Sequence, residues 1–596
     1  MRKAIITTIP KKGSKLLLKN ERGIFLVNCV RSILMRLIFN QKYQMLDGHM
    51  SDSNVGGRKN KSGINHIWAV NRIIHDQLTS IKKTPVVIQQ YDYKQMFDGM
   101  DASEACGDMF EYGVNDDHLK LIHEANNEVV INVKTPQGLS NEYTLINKVM
   151  QGDTWAPALA SAQVDAFGKE MLEEQPSFMF RFLGEVAIPL LGQVDDLIGV
   201  AEAGYKSDQL NAFVNAKTAD KDLQFGHDKC KTMLISKGKH QSYHKPKLTV
   251  DTWELNHEED GNIREEFKGK VPIEEENSLM YLGYMLSNQG SNMENITHKR
   301  NKVIGTQKQI LKLIEPLGPY TFESAFIYIQ SLIRNSILYG AEAMYIVKET
   351  DYRALEMIEE SVMKKVFQTK KTCPRHLLYL EAGVVPARYQ VERQILNFLK
   401  YILQQDQNSM ICRMFWAMKE NPTRGDWASF AISLIQKYNL NLSLTDIKNM
   451  KTNLFKKLVK KQMKEIALSE LIFRQKKGEK GKFIHYNSFN MAEHLLPESN
   501  LTVIEKVQIF ALRTEMNDNP CNFGEKIQCQ LGCSQVQENE HILNCPVLEE
   551  SENILNLEDL RNGPIHKKIK IIRKFNKNSI RIKEHLRDSV HTVNPL

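Results

Sequence analysis

The sequence lacks any uncharged apolar run of the roughly 18 residues that a membrane-spanning helix requires. Arg31 and Arg36 interrupt the most apolar N-terminal segment, and the Asp195–Asp196 pair interrupts another. The opening residues, MRKAIITTIPKKG, also contain too short an apolar stretch for a secretory signal. We therefore expect an intracellular chain without a membrane partner.

No charge of one sign dominates the chain either. Its 596 residues include 79 basic and 71 acidic side chains, which gives a net charge of +8. This balance permits a nucleic-acid partner, although such a partner requires local basic clusters rather than a net sum. Apolar residues at 42% and charged residues at 25% exclude disordered, collagen-like and fibrous classes. The length predicts several domains.

Cysteine is scarce, with nine residues, and five of them are widely scattered. Scattered thiols in an odd total are typical of a reduced protein rather than of a disulfide framework. The other four cysteines lie between Cys521 and Cys545. Crowding of this kind in a chain that is not secreted indicates a metal site before a disulfide.

The secondary-structure signals change along the chain. Up to about residue 286, strand patterns alternate with helical ones, and the β-branched segment VVIQQYD ends at Asp92. A hairpin is predicted around 136–138, a helix from Gly152, and two short strands around Asp195–Asp196. From Ile296 to Leu403 apolar residues recur every three to four positions. We predict an α/β layer followed by packed helices.

Three aspartates occupy positions that hold side chains rigidly. Asp92 ends a predicted buried strand, and Asp195 and Asp196 lie at a hairpin tip between apolar strands. Adjacent buried carboxylates repel each other and require cations to offset the cost. Two Mg²⁺ ions, roughly 3.5–4 Å apart, activate a 3′-hydroxyl and stabilise a pyrophosphate leaving group, which is polymerase chemistry. The alternative is a solvated surface pair, the interpretation given to Asp116–Asp117.

An ordered set of segments resembles the palm of reverse transcriptases, in particular those of non-LTR (LINE-type) retrotransposons. These segments are YDYKQMFD, VMQGDTWAPALAS, QVDDLIGV, LQFGHDKCKTM and MYLGYMLSNQG. IPKKGSKLLLKNERGIFLVN and NVGGRKNKSGINHI resemble the fingers of this family, and ILYGAEAMY resembles its thumb. Each segment alone is a weak indication of this family, but the ordered set is a strong one. The resemblance extends from about Thr7 to Cys545.

The resemblance implies roles for individual residues. Asp92, Asp195 and Asp196 would hold two Mg²⁺ ions, with Mn²⁺ as a substitute, and Lys229 would assist the departing pyrophosphate. Phe97 occupies the position of the steric gate against a ribose 2′-hydroxyl. The remaining nucleotide-binding residues would be Lys11, Arg22, Arg58, Gln151 and Gly152, and the primer grip would be Tyr281, Leu282 and Gly283.

The sequence departs from the family pattern at several positions. Thr154 and Ala156 replace a frequent proline and serine, Met96 replaces an alanine, and Gln193–Val194 replace an aromatic–alanine pair. None of these changes removes a metal ligand. No endonuclease domain is recognised in the sequence, so target nicking is not implied.

A second candidate metal site has the spacing Cys529-x3-Cys533-x7-His541-x3-Cys545. Three thiolates and one imidazole form a complete tetrahedral set for structural Zn²⁺, with no open position for catalysis. The pattern also resembles the knuckle that follows the thumb in many retrotransposon proteins. Cys521 is a possible substitute ligand, and the alternative is buried free cysteines with a surface histidine.

Two basic clusters flank this candidate knuckle. They are Lys456, Lys457, Lys460, Lys461 and Lys464, and Lys567, Lys568, Lys570, Arg573, Lys574, Lys577, Arg581 and Lys583. Such arrays attract phosphate backbones by counterion release, although a solvated helix face is the commoner reason for a charge run. In a polymerase we expect contacts with template or primer.

Together these observations predict an α+β right-hand polymerase with a ferredoxin-like palm sheet, a helical C-terminal region and a zinc knuckle. The predicted divisions are fingers 1–84, palm 85–290, thumb 291–400, a basic helical region 401–515, the knuckle 516–550 and a basic tail 551–596. The expected partners are an RNA template, a DNA primer or target, and dNTPs, with action in the nucleus after a cytoplasmic ribonucleoprotein stage. The competing hypothesis is an inactive or domesticated remnant that binds RNA.

Overall fold

The computed structural model describes residues 3–10, 21–80, 84–237, 248–257, 263–314, 325, 327–345, 347–478, 484–486, 492, 503–515, 528–529, 533, 535–546, 556–563 and 565–591. The predicted ligands Lys11 and Cys521 lie outside these residues. Unit 1 comprises Met1–Asn295, Glu342–Ile346 and Tyr401–Phe430, and unit 2 comprises Ile296–Ala341, Val347–Lys400 and Ala431–Leu596. In the described ranges, no helix combines the length and the hydropathy that crossing a membrane requires.

The strands belong to unit 1. In chain order they are β1 (Lys3–Pro10), β2 (Glu21–Val27), β3 (Val86–Asp92), β4 (Val129–Thr135), β5 (Gly138–Leu139), β6 (Tyr143–Leu145), β7 (Phe180–Phe182), β8 (Val186–Ile188), β9 (Leu191–Gln193), β10 (Asp196–Glu202), β11 (Lys231–Ile235), β12 (Thr249–His257), β13 (Ile263–Pro272), β14 (Glu274–Glu275), β15 (Ser278–Tyr281) and β16 (Tyr284–Ser287).

The α-helices occur in both units. In chain order they are α1 (Cys29–His49), α2 (Gly63–Thr79), α3 (Met96–Gly99), α4 (Ala102–Glu111), α5 (Asp116–Asn126), α6 (Ala156–Glu174), α7 (Tyr205–Asp220), α8 (Met293–Ile314), α9 (Asn335–Leu338), α10 (Glu349–Val366), α11 (Arg375–Ala382), α12 (Ala387–Gln404), α13 (Met410–Glu420), α14 (Trp427–Lys437), α15 (Leu444–Asn449), α16 (Thr452–Lys477), α17 (Val503–Arg513), α18 (Asn539–Leu543), α19 (Leu557–Asn562) and α20 (Ile565–His591). A π-helix, Ile329–Arg334, precedes α9, and a 3-10 turn, Ala341–Ala343, follows it.

The central sheet of unit 1 has the strand order β14-β11-β3-β10-β9. β3 lies in its middle and pairs antiparallel with both β10 and β11. Its β-branched and aromatic side chains are buried as far as Tyr91, and only the final Asp92 is partly exposed, as expected of a strand covered on both faces. Helix α6 precedes the β9–β10 hairpin and α7 connects β10 to β11. Strand–helix–strand–strand–helix–strand is the connection order of ferredoxin-like sheets.

A second sheet surrounds the N-terminal strands. β1 pairs antiparallel with β2 and parallel with β4, and β4 also pairs with β5 and β6. Its apolar side chains pack around Phe25 and Met150. The backbone N–H of Phe25 donates to the Gln151 carbonyl at 3.0 Å, so β2 is held beside the start of the α6 region.

Unit 2 is built from packed helices, as the apolar spacing after Ile296 predicts. One of its apolar clusters joins α17, α18, α19 and α20, with Ile509, Leu543, Leu560 and Ile572 near its centre. The mixed α/β character of the chain is therefore confirmed. The division into fingers, palm and thumb remains a prediction.

Candidate active site

Strand register brings two of the predicted carboxylates together. Asp92 is the last residue of β3 and Asp196 is the first residue of β10, and the two are direct partners in the antiparallel pair. Directly opposed residues in such a ladder have Cα atoms about 4.5–5.5 Å apart. Asp195 precedes Asp196 in the turn, so the three acidic residues share one end of the sheet.

The turn that carries Asp195 is tight. Gln193 pairs with Asp196 across the β9–β10 hairpin, which leaves Val194 and Asp195 as a two-residue loop. Val194 has φ of 58°, a left-handed conformation that β-branched side chains rarely adopt. Such backbone strain costs on the order of 1–3 kcal/mol and persists only where surrounding contacts maintain it.

The carboxylates are electrostatically unfavourable by themselves. Burial, and then the charges of Asp195 and Asp92, raise the pKa of Asp196 to about 6. Burial also raises the pKa of Asp195, and the charge of Asp92 adds to this effect. Nearby cationic groups lower both pKa values, which indicates that additional positive charge stabilises the ionised cluster.

Lys229 supplies one of these positive charges. Its Nζ donates to Asp92 Oδ1 at 2.6 Å. The backbone places it there, because Gly226 N donates to the Asp92 carbonyl and Lys229 N donates to the Gly226 carbonyl, each at 2.9 Å. Burial opposes the ammonium charge, but the bond to Asp92 and the neighbouring carboxylates outweigh it, so the pKa of Lys229 is raised.

A cavity of about 680 Å³ opens beside Asp195, the one of the three carboxylates among its lining residues. Of the predicted site residues, it is lined by Arg22, Phe97, Gln151, Asp195 and Lys229. Phe97 precedes α4 and α5 in the chain and Gln151 follows them, while Arg22 comes from β2. The fold therefore gathers residues from distant blocks around one volume large enough for a small-molecule ligand.

Gly152 is not among the residues that line the cavity, but it follows the lining residue Gln151 directly. It has φ of +109°, and a Cβ added there would lie 3.1 Å from the Phe25 carbonyl oxygen. Because an L side chain rarely adopts this conformation, glycine is required where the chain turns from Gln151 towards α6.

Several cavity residues were not predicted from the sequence. Thr252 and Lys268 come from the β12–β13 hairpin, and Lys94 and Gln95 follow β3. Lys94 and Gln95 lie inside the segment YDYKQMFD, so their closeness to Asp92 in the chain was a signal that they border the site. No motif marks the β12–β13 hairpin, so its contribution requires the fold.

Arg58 is placed differently from the other nucleotide-binding candidates. It is buried, and its Nε donates to Asp47 Oδ1 at 2.6 Å. Its terminal nitrogens donate to the backbone carbonyls of Asp47, Met50, Ser51 and Asn54. Arg58 thus holds the loop after α1, and it is not among the residues that line the cavity.

The predicted primer grip forms a tight hairpin. Tyr281 pairs with Tyr284, which leaves Leu282 and Gly283 as the loop, with φ values of 48° and 77°. Two positive φ values are typical of a type I′ hairpin turn. The Tyr281 hydroxyl lies 3.1 Å from His66 Nδ1, and Gln90 of β3 donates to the Met280 carbonyl at 2.9 Å. The hairpin is therefore tied to the strand that carries Asp92.

In unit 2, the four predicted zinc ligands form a cluster. The ligand atoms of Cys529, Cys533, His541 and Cys545 all lie within 4.8 Å of one another. His541 Nδ1 is 2.8 Å from the Gln535 side-chain oxygen, which leaves Nε2 available as a ligand, 3.1 Å from Cys533 Sγ. This set could hold Zn²⁺. Within the described residues, the carboxylate oxygens of Asp92, Asp195 and Asp196 do not all lie within this distance of one another.

The basic helix α20 is attached to this cluster. The buried Asn578 side chain donates to the carbonyls of Ile542 and Leu543 at 3.0 and 3.2 Å, and thereby caps the end of α18. The exposed basic residues of α20 include Lys567, Lys570, Arg573 and Lys577, and those of α16 include Lys456, Lys457, Lys460, Lys461 and Lys464.

Solved structures with detectable similarity include telomerases. A Candida tropicalis telomerase in complex with a TWJ fragment of telomeric RNA is 11% identical, with a TM-score of 0.35 over 77% of this chain and 64% of that chain. The corresponding Candida albicans complex is 12% identical, with a TM-score of 0.32 over 75% and 64%. A truncated apo telomerase from Candida tropicalis is 13% identical, with a TM-score of 0.29 over 44% and 55%.

The chain thus spans between about half and two thirds of the telomerase chains it matches. No family model and no curated protein matches it. Since the TM-scores are low, the functional assignment depends on the geometry of the site.

Proposed function

We propose that the chain is an RNA-directed DNA polymerase of the non-LTR retrotransposon type, which extends a DNA 3′-hydroxyl on an RNA template. One observation carries the proposal: Asp92 and Asp196 are register partners, with Asp195 beside them at the wall of a cavity. Three carboxylates at adjoining strand ends, one of them lining a ligand-sized cavity, fit nucleotidyl transfer, and neither RNA binding nor packing requires them.

The donor set fits Mg²⁺. Carboxylate oxygens are the ligands that this ion prefers, and Asp92, Asp195 and Asp196 supply them. The raised pKa values of Asp195 and Asp196 show the cost that a bound cation would offset. Two bound ions would supply activation of the 3′-hydroxyl and stabilisation of the pyrophosphate.

The other cavity residues fit the binding of a deoxynucleoside triphosphate. Arg22 and Lys229 place positive charge at the wall, where they would offset the phosphate charges. The raised pKa of Lys229 keeps its ammonium group charged, so it can donate a hydrogen bond to the leaving pyrophosphate and offset its charge. The Phe97 ring would occupy the space that a ribose 2′-hydroxyl requires.

The basic helices fit contacts with the phosphates of template or primer. The exposed lysines of α16 stand opposite its buried stripe of Phe455, Val459 and Met463, so the charged face is available to a polyanion. Zn²⁺ at the Cys–His cluster would be structural, because its four protein ligands leave no open position.

Primer extension on poly(rA)/oligo(dT) tests the proposal. We expect Mg²⁺-dependent incorporation of dTTP by the wild type and a loss of it in Asp195→Asn, with unchanged folding by circular dichroism. Asp117→Asn is the matched control, because Asp117 is exposed in the first turn of α5. Equal incorporation by wild type and Asp195→Asn would contradict the assignment. RNA binding without any incorporation by the wild type would favour the remnant hypothesis instead.

A further inference from the structure

The hairpin that carries Asp195 has a neighbour on its outer side. Gly192 of β9 donates to the Ser53 carbonyl at 2.8 Å, and Val55 N donates to the Gly192 carbonyl at 3.0 Å. Asn54 and Gly192 thereby form a parallel bridge. The edge strand next to the carboxylates is therefore paired by the loop that follows α1, here called the support loop (residues 53–57).

The support loop also touches the strained turn itself. A Cβ added to Gly56 would lie 2.6 Å from the backbone nitrogen of Val194 and 2.9 Å from its Cγ2. No real Cβ has contacts this close, so the Gly56 backbone lies directly against the residue that precedes Asp195. This close contact restrains the Val194 backbone, which has φ of 58°.

The support loop is in turn fixed to the rest of unit 1. The Asn54 side chain donates to the Ser161 carbonyl in α6 at 2.6 Å and accepts from Gly56 N at 2.9 Å. The Ser161 hydroxyl donates to the Gly56 carbonyl at 3.0 Å, and Arg58 donates to the Asn54 carbonyl at 2.9 Å. Because these groups are buried and satisfied, the loop forms a rigid surface.

We propose that the support loop positions the catalytic turn, and that Gly56 is its central positioning residue. This inference depends on the proposed polymerase function. The loop holds the Val194 backbone, and Val194 determines where the Asp195 carboxylate lies relative to Asp92 and Asp196. It contacts the turn through backbone atoms, so any side chain at position 56 displaces the turn.

Gly56→Ala tests this inference, with Gly107→Ala as the matched control. Gly107 lies within α4 and an added Cβ there meets nothing within 4 Å. A displacement of about 1 Å at a reacting group costs roughly 100-fold in rate. We expect Gly56→Ala to lower kcat by roughly 100-fold with little change in the KM for dTTP, and Gly107→Ala to match the wild type.

A second readout does not require turnover. Calorimetric titration of the zinc-loaded chain with Mn²⁺ should show weaker binding by Gly56→Ala than by Gly107→Ala, because the Asp195 carboxylate is displaced relative to Asp92 and Asp196. If Gly56→Ala does not fold, Asn54→Ala takes its place, with the same fall in kcat expected.

The outcomes separate the two proposals. An inactive wild type refutes the polymerase function, whereas the Mn²⁺ titration still measures whether the loop arranges the carboxylates. An active wild type with equal kcat and Mn²⁺ affinity in Gly56→Ala and Gly107→Ala overturns the positioning role. So does a folded Asn54→Ala variant with full kcat.

Discussion

Replacing Asp196 with asparagine should stabilise the magnesium-free chain while abolishing primer extension. The pKa of Asp196 rises from 3.8 to about 6 because of burial, and then because of the charges of Asp195 and Asp92. A carboxyl group that is harder to ionise in the folded state destabilises that state once it is ionised. Asparagine has nearly the same shape and no charge, so it removes this cost together with a metal ligand.

The magnitude follows from the shift. One pKa unit corresponds to about 1.4 kcal/mol, which gives an upper limit of about 3 kcal/mol for Asp196. Because the side chain is only half-buried, solvent screening reduces the expected gain to about 1–2 kcal/mol. Below pH 4 the carboxyl is protonated in both states and the gain disappears. It grows as the pH rises from 4 to 6 and is constant above pH 6.

Urea unfolding in magnesium-free buffer, with zinc retained, measures this difference. Asp117→Asn is again the control, because an exposed substitution should change the free energy of unfolding by no more than about 0.5 kcal/mol. If Asp196→Asn is no more stable than the wild type at pH 8, the carboxylates do not repel each other as their positions indicate. If it is more stable but still extends primers, Asp196 is not a ligand of the catalytic metal.

Two further predictions concern the cavity and the zinc cluster. Phe97→Ala should lower the discrimination against ribonucleotides by about tenfold or more. The discrimination is measured as the ratio of kcat/KM for dTTP to kcat/KM for UTP. An unchanged ratio would show that Phe97 is not the steric gate. Cys533→Ser should lose its bound zinc, measured by elemental analysis, and should lower the stability of unit 2, whereas Cys521→Ser should retain one zinc per chain. If only Cys521→Ser loses zinc, Cys521 rather than Cys533 is the fourth ligand.

Short-range signals predict the elements that carry the three aspartates. β-branched residues before Asp92 specify a buried strand, and the apolar segments around Asp195–Asp196 specify a hairpin. The pairing of β3 with β10 joins distant parts of the chain, so only the resemblance to reverse transcriptases implied that Asp92 lies beside Asp195 and Asp196. The Cys529–Cys545 cluster is predicted from its spacing, since its ligands are close in the chain.

Features that depend on distant contacts are not predictable in this way. The sequence marks Arg58 as a basic residue in a polar loop, and only the fold shows that its donors serve the loop backbone. The same limit applies to Gly56, whose contact with Val194 joins residues far apart in the chain. A charge pattern indicates which side chains are polar, but burial decides whether their partners are ligands or the protein itself.

The bond from Asn578 to the end of α18 makes the last helix part of the metal-binding region. A polypeptide shortened before Ile565 would leave the Ile542 and Leu543 carbonyls without a donor and would uncover apolar side chains such as Leu543 and Leu560. A chain truncated in this way would thus expose apolar surface and aggregate, rather than fold as a shorter version of the same protein.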